Sequence, residues 1–430
     1  MNSKTTKLQA YASYKPSGVE WLGDIPEHWE FISNKYIFNL KKIQVGKKSH
    51  KYDLLSLTLN GVIKRDMVNP QGKFPAEFDT YQEVNEGDFI FCLFDVEETP
   101  RTVGLSDFNG MITGAYTVME VNNTFDNGFL YYFYFNLDAD KRLKSLYTGL
   151  RNTISKDNFF NFKTFVPHLQ EQTAIAQFLD DKTSKIDQAI AIKQQQIDLL
   201  KERRQILIHK AVTQGINPDV KLKDSGVEWI GMIPEHWEVK KVKYLLKERN
   251  ERSRDGLEPL LMMSQVHGLV VRSEYHSKAE VAQSNEGNKV VYQNDLVFNK
   301  LKAHLGVFFK STIEFNGIVS PDYAVYYSTG IIKDLKYLEI LFRNPEYIKE
   351  FICRATGIVE GLIRLYTPDL FDIHVAVPPI IEQISILQHI EKAADKITTA
   401  ILLKEQEIDK LREYKSSLID GVVTGKVKIN

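Results

Sequence analysis

Pro321-Asp322, followed by Asp334-Leu335-Lys336, fits the loose pattern Pro-Asp…Asp-x-Lys. Two carboxylates and a lysine around a divalent metal would suit phosphodiester hydrolysis. The pattern is short, and the related stretch of the chain has Gly114-Ala115 where it would need the first acid. Glu27-His28-Trp29-Glu30 and Glu235-His236-Trp237-Glu238 could in principle hold a metal or move a proton. Both follow the same Ile-Pro, which suits a packed turn instead. Gly46-Lys47-Lys48-Ser49 lacks the upstream glycine of a phosphate cradle. G-x-G-x-x-G, H-E-x-x-H, G-x-S-x-G and the Asn/Asp-Pro-Pro-Tyr/Phe run of amino-methyltransferases are absent. The aromatic run Phe129–Phe135 could stack bases, but its counterpart Tyr337–Arg343 keeps only some rings, which favours a core helix. Cys92 and Cys353 stand far apart with no CxxC or Cys/His spacing, against a disulfide framework or a zinc site. The sequence predicts no catalytic residue and no metal centre.

The elements that must position any such residues come in duplicate. Ser17-Gly-Val-Glu-Trp-Leu-Gly-Asp-Ile-Pro-Glu-His-Trp-Glu30 recurs 208 residues later as Ser225-Gly-Val-Glu-Trp-Ile-Gly-Met-Ile-Pro-Glu-His-Trp-Glu238. Val166-Pro167…Glu171-Gln172 recurs 211 residues later as Val377-Pro378…Glu382-Gln383, and each opens a long helical pattern that ends near Val212-Thr213 or Val423-Thr424. The chain is one unit written twice: a short motif, a variable block, a long helix. The boundaries are 1–30, 31–165, 166–213, 214–238, 239–376 and 377–430. The variable blocks share a skeleton. Asn109-Gly110 through Tyr116 aligns with Asn316-Gly317 through Tyr323, Gly87-Asp88-Phe89 with Asn294-Asp295-Leu296, and Thr148-Gly149 with Thr356-Gly357. Alternating runs at Thr117–Val121 and Asp295–Phe298 predict strands, and helices are expected near Phe129–Asn136 and Tyr337–Asn344.

The long helices carry a heptad seam. Leu179, Ile186, Leu200 and Leu207, with Ile190 and Ile197, form it in the first; Ile390, Ile397, Leu411 and Leu418, with Ile401 and Ile408, form it in the second. It is interrupted at Lys193, Arg204, Lys404 and Lys415, which coincide under the same offset. A helix of about 60 Å cannot bury such a stripe alone, so the two are expected to pair antiparallel. The fold class is α+β: two similar mixed α/β domains, two long antiparallel coiled-coil helices, and an internal pseudo-two-fold repeat. Because the tail Val422–Gly425 matches Ala211–Gln214, which precedes the second motif, the two chain ends should lie close together, closing a ring.

Composition is that of a folded chain, 43% hydrophobic and 26% charged, with 55 Lys/Arg against 56 Asp/Glu. A uniformly basic coat is excluded, but the charge is segregated. Lys41 to Lys73 carries eight basic residues against two acids, Glu77 to Glu98 eight acids and no base, and Lys240 to Arg254 seven basic residues against two acids. No run approaches the ~18 apolar residues of a membrane span and Met1–Tyr14 has no signal-type apolar region, so the expected location is the cytoplasm.

The two Ser-Gly-Val-Glu-Trp…Glu-His-Trp-Glu motifs, the Val-Pro-x-x-x-Glu-Gln helix starts and the Val-Thr helix ends resemble the specificity subunits of type I restriction–modification systems along nearly the whole chain. The resemblance implies that the variable blocks are target-recognition domains, each reading half of a bipartite, asymmetric site in double-stranded DNA. It implies that the helices set the unspecified gap and dock two methyltransferase subunits, with restriction/translocase subunits as further partners. S-adenosylmethionine, ATP and Mg²⁺ are then expected in the partners, with no cofactor bound by this chain and no catalysis by it. Base and phosphate contacts are expected from Lys47, Lys48, Lys64, Arg65, Arg101, Arg151 and Asn152 in the first block. In the second they are expected from Arg252, Arg254, His267, Arg272, Lys300, Lys302, His304 and Arg364. The rivals are a self-contained nuclease using Asp322, Asp334 and Lys336, and a scaffold that binds only proteins.

Overall fold

The repeated motif is a backbone device. In a computed structural model describing residues 9–67, 77–147, 152–275, 284–357 and 364–429, the Ser17 hydroxyl accepts from Val19 N at 3.0 Å and Ser17 N donates to Gly23 O at 3.0 Å. Ser225 repeats both bonds with Val227 and Gly231, at 3.1 and 3.0 Å. Gly18 and Gly226 share φ +72°, and Gly23 and Gly231 share φ +69°, a left-handed conformation that glycine adopts without strain. The motif ends on Trp29 and Trp237, both fully buried.

The chain divides into two units, residues 1–194 with 405–430, and residues 195–404. The first is built on a four-stranded antiparallel sheet of β1 (Phe38–Lys41), β2 (Phe89–Phe91), β3 (Val103–Leu105) and β4 (Thr117–Val121), in the order β1-β4-β2-β3. The second has β5 (Leu246–Glu248), β6 (Leu296–Asn299), β7 (Phe308–Lys310) and β8 (Tyr323–Ser328), in the matching order β5-β8-β6-β7. Each unit adds a hairpin, Leu55–Thr58 with Gly61–Lys64 in one and Leu261–Ser264 with Gly268–Val271 in the other. The shared Asn-Gly is explained by close approach. A Cβ on Gly110 would fall 2.5 Å from Asp53 O, and one on Gly317 2.6 Å from Leu261 Cδ1.

The aromatic run lies on helix Asn127–Ala139, where Phe129, Phe133 and Tyr134 are buried beside Phe38, Phe89 and Phe91. It is core, not a stacking platform. Its counterpart is split into Lys336–Leu341 and Pro345–Arg354, because Pro345 starts a new helix capped by Asn344, whose side chain accepts from Glu346 N. Lys41 is buried and pairs with buried Asp88 at 2.8 Å; half-buried Arg249 pairs with buried Asp295 at 2.7 Å. Both acids also accept from a turn N–H, Asn85 N at 2.7 Å and Tyr292 N at 2.9 Å. Gly87 and Asn294, each at positive φ, precede them, consistent with the tolerance of asparagine for that conformation. Asp88→Asn would leave Lys41 buried beside only Glu83 at 3.9 Å and Glu120 at 3.7 Å. The expected loss is about 3 kcal/mol, the low end for breaking a buried pair because of those two acids. A lowered urea midpoint of the intact chain checks it, and an unchanged midpoint refutes it.

The long helices run Leu169–Gln214 and Ile380–Val423. They begin later than the sequence boundaries 166 and 377, because Val166 and Val377 end strands Lys163–Val166 and His374–Val377 and the prolines that follow cannot donate to a helix or strand ladder. The glutamine of each helix start closes the junction. Gln172 donates to Pro167 O at 2.8 Å and accepts from Asp126 N at 2.9 Å, while Gln383 donates to Pro378 O at 2.9 Å and accepts from Lys333 N at 2.9 Å.

Along the seam Leu179, Ile186, Ile197, Ile390, Ile397, Ile408 and Leu418 are buried, and Ile190, Leu200, Leu207, Ile401 and Leu411 half-buried. In the first unit the helices pair antiparallel, and the basic interruptions are answered across them: Lys193 meets Glu407 at 2.5 Å and Lys415 meets Asp187 at 2.7 Å. In the second unit Leu207 and Ile208 line a crevice with His389, Ile390, Ala393 and Ile397. Arg204 lies on the same crevice and is exposed. Within the first unit Gln9 bridges to Lys428, and Lys428 N donates to Gln9 O at 2.7 Å.

Candidate nucleic-acid interface

The basic residues singled out in the first block divide by what already holds them. Lys47 and Lys48 are exposed on the 3-10 turn Gly46–Lys51, and Asn152 is exposed with its carbonyl accepting from Asp95 N at 2.7 Å. Lys64, at the end of its hairpin strand, pairs with Asp53 at 2.6 Å and lies over the Phe108 ring at 5.3 Å. Arg65 is half-buried and its N–H is bound to Leu54 O. Arg101 has gone inward. Its guanidinium stacks on Phe135 at 4.3 Å, reaches the buried Asp138 carboxylate at 3.4 Å and donates to Leu59 O at 3.3 Å. Only 14% of the side chain is exposed, so Arg101 serves the packing of this unit. Arg151 lies outside the described residues.

In the second block Arg252 and Arg254 are exposed, Arg252 donating to Gly287 O at 2.7 Å. His267 tilts against Tyr275 at 4.9 Å, and Arg272 begins the short helix Arg272–Tyr275. Lys302 is exposed at a kink in turn Lys300–Leu305; His304 lies in that turn, and its side chain lies outside what is described. Lys300 and Arg364 are brought together. Burial lowers the proton affinity of Lys300, neighbouring Lys289 and Arg364 lower it further, and Glu248 and Asp322 oppose this.

The nuclease constellation is divided. Asp334 pairs with Lys310 at 2.8 Å and accepts from Lys336 N at 2.8 Å, while Lys336 pairs with Glu339 at 2.7 Å. Asp322 sits instead near Lys300. Among the described residues no cluster of three His, Cys, Asp or Glu side chains could hold a metal. The Glu-His-Trp-Glu motif is likewise occupied by its own frame. His28 meets Glu171 at 2.7 Å and Trp29 Nε1 donates to it at 3.4 Å; His236 and Trp237 make the same contacts to Glu382 at 2.6 and 3.0 Å. The motif's histidine and tryptophan are thus partners of the glutamate that opens each long helix.

A cleft of about 520 Å³ beside the first sheet holds residues the sequence reading passed over. Leu40, Lys42 and Gln44 enter it from one extended segment, Thr80 from a turn and Gln82 from the strand that follows, and Tyr116 and Lys156 close it. The signal was the alternation: residues two apart in an extended segment share a face. Lys42 belongs to the basic cluster Lys41–Lys73, whereas Lys156 lies outside it. Burial lowers the proton affinity of Lys156, and the Lys42 ammonium lowers it further.

Two sheet-bearing units of matching strand order, each entered through the same tryptophan motif and left along a long helix, define a duplicated α+β scaffold whose variable surfaces differ in charge. Residues 26–202 match the family described as the type I restriction modification DNA specificity domain. The type I restriction enzyme MjaVIII specificity subunit of Methanocaldococcus jannaschii is 25% identical over 335 residues, 74% of this chain and 75% of that protein. The HsdS subunit from Thermoanaerobacter tengcongensis has a similar fold, with TM-score 0.54 and 12% identity over 93% of this chain and 98% of that one. So has a chain from a structural study of the assembly of a type I restriction–modification system, with TM-score 0.64, 12% identity and the same coverages, 93% and 98%. The family match covers the first copy of the repeat, and the second unit repeats the frame and strand order of the first.

Proposed function

We propose that this chain is the non-catalytic specificity subunit of a cytoplasmic type I restriction–modification complex, and that it reads a bipartite, asymmetric DNA target. Each domain reads one half, and two methyltransferase subunits dock on the frame between them in sequence. Methylation from S-adenosylmethionine and any ATP- and Mg²⁺-dependent cleavage belong to the partner subunits. The observation that carries this reading is a scaffold written twice with its motifs nearly unchanged and its variable surfaces rewritten. Two modest readers held by one frame bind as a bivalent unit, so correct spacing adds affinity that neither has alone.

Apolar exposure on the helices supports docking. In the second unit Leu199 and Ile206 stand seven residues apart and are 55% and 57% exposed, on a face the seam does not cover. Co-expression with a methyltransferase subunit, followed by methylome sequencing, tests the proposal. Adenine methylation is expected at one bipartite motif with the chain and nowhere without it. Leu199→Asp/Ile206→Asp is expected to reduce recovery of the methyltransferase with this chain at least about tenfold, since charge would replace two aliphatic side chains that docking would bury. Methylation that persists at the same motif without the chain would sink the proposal.

A further inference from the structure

The cleft beside the first sheet has a structural counterpart in the second unit, and the two differ in charge. The correspondence is fixed by pairings. Gln44 bridges to Gln82 as Arg252 bridges to Lys289. Lys41 holds Asp88 as Arg249 holds Asp295. Ile154 N binds Leu93 O as Leu365 N binds Lys300 O. Counting from these anchors, Lys42 corresponds to Asn250, Lys156 to Thr367 and Ala115 to Asp322.

In the second unit the same place carries carboxylates: Glu248 holds Lys289 at 3.1 Å, and Asp322 lies near Lys300, which is also beside Arg364. In the first, two lysines line the cleft with no carboxylate among the lining residues, and neither has an ion-pair partner among the described residues. Lys41, beside Lys42 in the chain, is paired with Asp88, and Lys64 of the hairpin with Asp53. Two ammonium groups facing one another repel in the free protein, and an oxyanion placed between them would relieve the repulsion. The remaining lining suits a phosphodiester. Thr80 and Gln44 offer neutral donors, and Gln82 is held in place by its bonds to Tyr116 O at 2.9 Å and Thr113 O at 3.4 Å.

Resting on the DNA-reading function above, we propose that Lys42 and Lys156 grip a backbone phosphate of the half-site read by the first domain, with a lysine pair whose places are taken by Asn250 and Thr367 in the second domain. The contact orients the first domain and makes its binding sensitive to salt, while bases are read elsewhere. The test uses the complex assembled with its methyltransferase subunit and compares wild type, Lys42→Gln/Lys156→Gln and Lys42→Arg/Lys156→Arg. DNA affinity is measured between about 50 and 200 mM salt, the range over which counterion release is read. The glutamine variant is expected to lower the log–log salt slope by about one, the value for one lost phosphate contact, and to leave the methylated sequence unchanged. The arginine variant is expected to keep the wild-type slope. An unchanged slope in the glutamine variant, a slope lost in both variants, or an altered methylated sequence each overturns the phosphate seat while leaving DNA reading intact. Salt-independent or absent binding by the wild-type complex would instead remove the functional reading on which the seat rests.

Discussion

Exchanging residues 31–165 for the matching block of a relative is expected to change one half of the methylated sequence and leave the other half and the gap as they were. The cut points favour a clean graft. Strand Glu30–Ser33 pairs antiparallel with Lys163–Val166, so the block leaves the frame through two adjacent strands. The second block has the same neck, Glu238–Lys241 against His374–Val377. The graft must still meet the frame where Trp29 packs edge-on against Phe129 at 5.9 Å and where Asp126 N binds Gln172. A donor with an aromatic residue at the position of Phe129 should satisfy it. Each mismatched base pair costs about 1–3 kcal/mol, so a half-site of a few bases should shift preference by on the order of a thousandfold or more. Methylome sequencing reads the outcome. Changes in both halves would mean that the blocks are not independent readers, and no change would mean that the block does not read DNA.

Much of the frame was legible because it is repeated. A pattern kept at Ser17–Glu30 and Ser225–Glu238 must answer a local requirement, and the two φ-matched glycine pairs are that requirement. The heptad seam was legible for the same reason: its basic interruptions recur under the same offset, Lys193 with Lys404 and Arg204 with Lys415, and Lys193 and Lys415 meet Glu407 and Asp187. What the sequence hides is the partner of each side chain. Nothing in the string joins His28 to Glu171, 143 residues away, so the tie between the two repeated motifs appears only in the fold. Arg101 looks like any exposed arginine until Phe135 and Asp138 are seen to enclose it. Lys156 is one lysine in an unremarkable stretch until the sheet brings it to Lys42. Residue type reveals what a side chain can do, and burial by distant segments decides whether it is free to do it. The recognition surface is where local patterns say least, because its residues do not repeat between the copies.

Inserting one heptad into both long helices, after Gln195 and after Lys404, is expected to move the tolerated gap in the DNA target. Seven residues add about 10.5 Å of helix, close to the rise of three base pairs. Two helical turns bring the seam back to within about 20°, so the apolar positions still face one another and the pair should survive. Both helices must be lengthened together, because the Lys193–Glu407 and Lys415–Asp187 ties set their register in the first unit. A heptad in only one helix should cost the assembly itself. Length is not the whole requirement. Three base pairs also turn the duplex by roughly 100°, at 10–10.5 pairs per turn, so the lengthened protein should favour a gap about three pairs longer yet bind it less tightly than wild type binds its own. Loss of the bivalent gain at the original gap should lower affinity there by about 10² or more. Methylome sequencing gives the new gap, and titration against DNA of graded gap lengths gives the cost of the twist. A gap that stays the same after insertion in both helices would show that something other than the helices sets it.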